Sequence, residues 1–548
     1  MKLFAVTLLT GWFVITSADA PAQQPADLIL HHGKIVTVDR TFSIQQALVI
    51  RDGKIVAVGS NDLLTTFQAP RAIDLAGRTV VPGFDDTHIH IEGNARRWID
   101  LGGTTSVAAI KTSVAAMAAR LGPGEWITGY GWSEDELADK RRPLRGDLDD
   151  AAPGNPVVLD RAGGHSAVVN SLALKLAGIT RGTPDPDAGI IEHDDSGEPN
   201  GIIRERQEIV SRLVPEATPE ELRESFVQNL RNLLPLGITS IVLAGATPEG
   251  YKEWETVYAA HGTELPRASV QIHWAGPDKM RAFGRKTGDG NERLRVGAVK
   301  VLVDGGFTGP AAYTLKPYKG QGDYRGKLNY SEEQLYEIVK SGHNMGWQMG
   351  FHTIGDGAIK MAADVFDRLL HEFPRPDHRH YLNHFTVMPP EETLRTLAAN
   401  HILVSQQPNF TYTLEGRYAA NLDDERLQHN NPLRTVLDHH IFLALSSDIL
   451  PIGPMVGLYA AVTRKGMSGT VYGAGERLTM EEAIRGYTRD AAFITREEQL
   501  KGSIEPGKLA DLAVLSDDLL TMNPDRIRGT KVEMTILGGR IVFERHGN

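Results

Sequence analysis

Between residues 79 and 447 the sequence alternates short apolar, β-branched runs with longer stretches of helical periodicity. The runs are Thr79–Phe84, Thr239–Leu243, Val296–Val303, Trp347–Phe351, Tyr381–Phe385, Ile402–Gln407 and Ile441–Ser447. Glu332–Gly342, Ala358–Phe373 and Pro390–Ala399 carry the helical pattern between them. Alternation sustained over this length predicts an α/β fold with a parallel sheet, either open or closed into a barrel. The stretch from about 105 to 290 is longer than one strand–helix unit needs, so an inserted segment is expected there.

A second pattern marks the chain ends. Asp27–Asp39 and Ala47–Gly59 each place a Gly-Lys turn between β-branched stretches, and Leu509–Leu515 and Val532–Glu544 repeat that style. They predict one small β domain, a β-sandwich, assembled from both termini. A chain of 548 residues is also too long for one compact core. The expected organisation is small-domain residues at 21–82, a large domain at 83–490 and the rest of the small domain at 491–548.

Residues 1–20 read as a secretory signal, with Lys2 at the start, an apolar centre from Leu3 to Ile15, and Ala18-Asp19-Ala20 as a small-x-small cleavage site. The apolar centre is shorter than the roughly 20 residues a membrane span needs. A periplasmic or secreted location is therefore expected, with no span left after signal removal. The chain has no cysteine, so disulfides and thiolate ligands are excluded and any metal must sit on nitrogen and oxygen. The formal net charge of −11 argues against a nucleic-acid partner. The nearest basic cluster, Lys140-Arg141-Arg142 with Arg145, reads as a solvated loop.

The sharpest local signal is Pro82-Gly83-Phe84-Asp85-Asp86-Thr87-His88-Ile89-His90. Alternate side chains of a strand share a face, so His88 and His90 project together where one metal can take both. Two core histidines would look the same, and the pair does not decide the matter alone. Lys300 sits within the apolar run Gly297–Asp304, where a lysine is costly unless neutralised or paired. His352 ends Trp347–Phe351, His384 ends Tyr381–Asn383, and Asp448 ends Phe442–Ser447. In a barrel the C-terminal strand ends converge on the active site, and ligand types delivered there by five strands read as a metal centre.

Several segments resemble the amidohydrolase superfamily, and within it the branch containing N-substituted formamide deformylases. They are residues 82–90, Trp126–Trp132, Gly164–Leu174, Val299–Gly306, His352–Ile359, Gln407-Pro408, Ser447-Asp448 and Lys501–Leu515. The resemblance implies a (β/α)8 TIM-like barrel. It implies that His88, His90 and Asp448 hold one divalent metal, that His352 and His384 hold a second, and that Lys300, as N6-carboxylysine, bridges them. Zinc is the expected ion for such ligands, with manganese, nickel or iron as alternatives. Asp448, His384 and Lys300 are the implied catalytic residues, acting with a metal-activated hydroxide whose proton Asp448 passes to the leaving nitrogen. His165 resembles a substrate-pocket position and Trp132 reads as an apolar wall; loop anchoring and core packing are their other readings. Three departures from the branch stand out: Asn383 where an acidic residue is expected, a strand Thr239–Gly245 lacking polar residues at its end, and Gly305-Gly306 in place of Gly-Ser.

The expected activity is hydrolysis of a C–N bond in an amide, N-formyl amine or cyclic amide, with a small-molecule substrate. The same centre would also suit lactones, carbamates, peptides or other esters. A non-catalytic periplasmic metal- or ligand-binding protein would lack the aspartate or the His-x-His pair, and both are present. A symmetric homo-oligomer is expected only from how common such assemblies are.

Overall fold

The computed structural model describes residues 23–545 except 135, 136, 163, 188, 308 and 450; the expected signal at 1–20 lies outside the described residues. Eight strands form one sheet in chain order: β1 Phe84–Ile89, β2 Ile238–Ala246, β3 Arg267–His273, β4 Leu294–Leu302, β5 Met349–Thr353, β6 Tyr381–His384, β7 Leu403–Gln406 and β8 Leu443–Leu445. Each pairs in parallel with the next. The sheet closes where the Asp448 backbone N–H donates to the His88 carbonyl at 2.8 Å and Ile89 bridges Asp448 in parallel. This is a (β/α)8 TIM-like barrel.

The helices outside it follow from their sequences. Ser331 and Gln334 form a capping box at the start of Glu332–Asn344, whose Leu335, Tyr336 and Val339 are buried. Asp356–Glu372 buries Ile359, Ala362, Ala363 and Phe366 along one stripe, the spacing of an amphipathic helix laid on a sheet. No helix among the described residues is long and apolar enough to cross a membrane.

The insertion is shorter than the sequence suggests. β2 and β3 fall within the expected 105–290 stretch yet are barrel strands. The segment between β1 and β2 carries its own six-stranded sheet, with Trp98–Asp100 at one edge and Ile190–His193 at the other. β3 escaped notice because Arg267, Ser269 and Gln271 occupy its alternate positions, and all three are buried. Arg267 forms a buried pair with Asp511 at 2.6 Å, and Gln271 donates to the Tyr381 hydroxyl. Buried polar groups at alternate positions make a barrel strand look like a surface one.

The small domain is a two-sheet sandwich drawn from both chain ends. Lys54–Gly59, Ala47–Arg51, Leu28–His31 and Arg71–Asp74 form one sheet; Arg540–Glu544, Val532–Leu537, Leu512–Leu515, Thr79–Pro82, Lys34–Val36 and Ile44–Gln45 form the other. Leu28, Leu48 and Ile50 of the first pack with Ile35, Val80, Leu512 and Ile536 of the second. Thr79–Pro82 runs through Gly83 into β1, so the sandwich anchors the strand that carries His88. Buried ion pairs complete the junction. Lys501 contacts Asp85 at 2.8 Å and Glu497 at 3.0 Å, and Asp511 holds Arg267.

Candidate metal centre

All six residues singled out as ligands lie at or near the C-terminal ends of barrel strands. His88 is in β1 and His90 just beyond it; Lys300 is near the end of β4, His352 in β5, His384 last in β6, and Asp448 just after β8. His384 and Asp448 adopt left-handed backbone, with φ of 73° and 59°. That conformation costs a non-glycine residue about 1–3 kcal/mol and concentrates at functional sites. Here it turns both side chains inward as their strands end.

The side chains meet. The imidazole of His88 lies 4.6 Å from that of His384, and His384 lies 4.3 Å from His352, between ring centres. Lys300 Nζ approaches His88 Nε2 at 3.5 Å. Asp448 reaches between the groups, with Oδ1 at 3.7 Å from His90 Nε2 and Oδ2 at 3.9 Å from His384 Nδ1. Ligand atoms of His88, His90 and Asp448 all fall within 4.8 Å of one another. Lys300, His88 and His384 are buried, whereas the side chain of His90 is half exposed at the mouth.

Hydrogen bonds fix which nitrogen faces the centre. The Gln407 amide donates from Nε2 to Ser446 Oγ at 2.8 Å, which leaves its Oε1 to accept from His384 Nδ1 at 2.9 Å. His384 Nε2 therefore carries a lone pair, and it is buried without a hydrogen-bond partner. Asn383 Oδ1 accepts from His88 Nδ1 at 2.9 Å, aiming His88 Nε2 toward Lys300. Burial depresses His352 to about 3 and holds His88 and His384 well below the usual histidine range. Neutral imidazoles with oriented lone pairs are what a divalent metal requires. Burial also lowers Lys300 and raises Asp448, each partly offset by the charge of the other. A buried donor set with an orphaned imidazole nitrogen fits a metal ion.

Several contributors were not singled out from sequence as site residues. Asn383, which looked like a departure, supplies the oxygen that orients His88. Asp304 accepts backbone N–H groups of Tyr313, Ile354 and Gly355 at 2.9–3.0 Å, pinning the loop after β4 to the turn after His352. Asp86 accepts from the Ser447 backbone at 3.0 Å and binds the Ser447 hydroxyl beside Asp448. His273 ends β3 in register with Lys300, so it faces the barrel mouth. Gly245 on β2 makes room for it, since a Cβ there would sit 2.4 Å from His273 Nε2. The strand end that seemed to lack polar residues is therefore filled from its neighbour.

Two expected pocket residues stand elsewhere. Trp132 is fully buried in the core of the insertion, its Nε1 donating to the Leu159 carbonyl at 2.9 Å. It belongs to the same buried cluster as Leu148, Leu159 and Val168. His165 is exposed on the inserted sheet and pairs with Glu205 at 3.1 Å. It is not among the side chains that converge at the strand ends.

A family model described as an amidohydrolase family matches residues 71–543. The chain belongs to that amidohydrolase family. A putative amidohydrolase of Bacillus subtilis, YtcJ, is 29% identical over 94% of this chain and 99% of its own length. The N-substituted formamide deformylase of Arthrobacter pascens is 28% identical over 96% of this chain and 100% of its own. An uncharacterized metal-dependent hydrolase from Pyrococcus furiosus superposes with a TM-score of 0.68 at 26% identity, covering 90% of this chain and 100% of that one. The family is metal-dependent, and His88, His90 and Asp448 give this amidohydrolase a candidate metal site at its barrel mouth.

Proposed function

We propose that this amidohydrolase cleaves the C–N bond of an amide, N-formyl amine or cyclic amide. The observation that carries the reading is the convergence of four imidazoles, a buried lysine and a buried aspartate at one barrel mouth. Its full-length similarity to a formamide deformylase supports the choice of bond.

In this reading His88, His90 and Asp448 would hold one divalent ion and His352 and His384 a second, with Lys300, as a carbamate, supplying a further oxygen ligand. When bound, such ions, zinc by preference, supply Lewis acidity and a source of hydroxide at neutral pH. Burial favours the neutral amine of Lys300, whose Nζ forms a bond to the carbon of carbon dioxide and releases a proton. The product is an anionic oxygen donor in place of a costly buried ammonium. Asp448, its carboxyl raised by burial, accepts the proton of the attacking water and returns it to the leaving nitrogen. Asn383 and Gln407 keep the tautomers of His88 and His384 fixed throughout.

The signal-like residues 1–20 support export, which fractionation of expressing cells would test. The activity itself is tested by incubating the zinc-loaded enzyme with matched N-substituted formamides, simple amides, lactones and carboxylic esters. Release of amine from the nitrogen compounds, faster than any ester or lactone cleavage, is expected. Turnover confined to esters or lactones would overturn the bond assignment.

A further inference from the structure

We propose that the small β domain carries a separate cation site, formed by His31, His32 and Asp74, for a late first-row divalent ion such as zinc, nickel or copper. His32 Nδ1 lies 3.1 Å from His31 Nδ1 and 3.1 Å from Asp74 Oδ2. All three ligand atoms fall within 4.8 Å of one another. Tetrahedral coordination with bonds of about 2.0–2.1 Å spaces ligand atoms roughly 3.3 Å apart, close to the two separations of 3.1 Å about His32.

If His32 Nδ1 carries the proton, one hydrogen serves both His31 Nδ1 and Asp74 Oδ2. If it accepts from His31, its lone pair faces the carboxylate. A cation at the centre satisfies all three atoms at once, and two imidazoles with one carboxylate select zinc, nickel or copper over magnesium or calcium.

The frame is rigid and independent of the barrel. His31 and Asp74 are register partners in paired strands, and the Leu75 N–H donates to the His31 carbonyl at 2.9 Å. The His32 backbone N–H donates to Asn61 Oδ1 at 2.8 Å. Asp74 Oδ1 is occupied by the Ala76 N–H at 2.8 Å, which leaves Oδ2 for the histidines. The side chains of His32 and Asp74 are 51% and 58% exposed, so solvent completes the coordination.

The test is elemental analysis of the full chain, equilibrated with zinc sulfate and desalted, beside His32→Ala and Asp74→Ala. Each variant is expected to hold one zinc ion per chain fewer than the unaltered protein. Equal zinc content would overturn the proposal. The exposed positions allow both variants to fold, which circular dichroism checks. A nickel titration of the chain carrying His88→Ala and His384→Ala separates this site from the barrel. One binding event that Asp74→Ala removes is expected there, and its absence would also overturn the proposal, whatever the barrel does.

Discussion

Gln407→Leu isolates the role of imidazole orientation in the candidate metal centre. Leucine matches glutamine closely in volume but removes both ends of the Ser446–Gln407–His384 relay, whose two links measure 2.8 and 2.9 Å. Ser446 Oγ retains contacts with Ser405 Oγ and the Gln406 carbonyl, both at 3.3 Å, so it loses little. His384 Nδ1 is left as a buried donor without its acceptor, a loss of about 1–3 kcal/mol. The imidazole escapes by moving its proton to Nε2, and that nitrogen then no longer ligates. Removing such a supporting hydrogen bond weakens metal affinity by about 10- to 100-fold, or about 1.4–2.7 kcal/mol, on the same scale. Competition against a chromophoric zinc chelator measures the change directly. Gln407→Glu keeps an acceptor for His384 and should retain most of the affinity. If Gln407→Leu bound zinc as tightly as the unaltered chain, the orientation argument would be wrong.

Three further outcomes are expected. Lys501→Met should destabilise the fold by about 3–5 kcal/mol in chemical denaturation, because Asp85 and Glu497 would stay buried without their cation. Burial depresses His343 and His378 to about 4 and His380 well below its usual range. The unfolded chain therefore binds protons first, and stability should fall as pH drops from about 6.5 toward 4, by up to about 1.4 kcal/mol per unit for each histidine. Urea unfolding across that window should show a shallower slope for His343→Asn. Asp304→Ala should free the loop from Gly305 to Tyr313, read as faster limited proteolysis there, since three backbone N–H groups lose one common acceptor.

The candidate metal centre was legible because its residues lie within or at the end of apolar runs, where a nitrogen or oxygen donor is conspicuous. What supports those ligands was not legible. Asn383 and Gln407 act through hydrogen bonds between neighbouring strands, and sequence spacing does not reveal which strands are neighbours. β3 was hidden by its own polarity, since Arg267 finds a partner in Asp511 at the domain junction and Gln271 one in Tyr381 of β6. Trp132 admitted two readings from sequence, an apolar wall or core packing, and it lies in the buried core of the insertion.

Metal content per chain tests the central claim most directly. Elemental analysis of the protein equilibrated with zinc and desalted, beside the chain carrying His88→Ala and His384→Ala, isolates the barrel ions by difference. The account predicts that the altered chain holds one or two fewer ions and does not cleave formamides. Equal metal content in the two proteins would contradict it, leaving these histidines as polar packing at the mouth of the barrel.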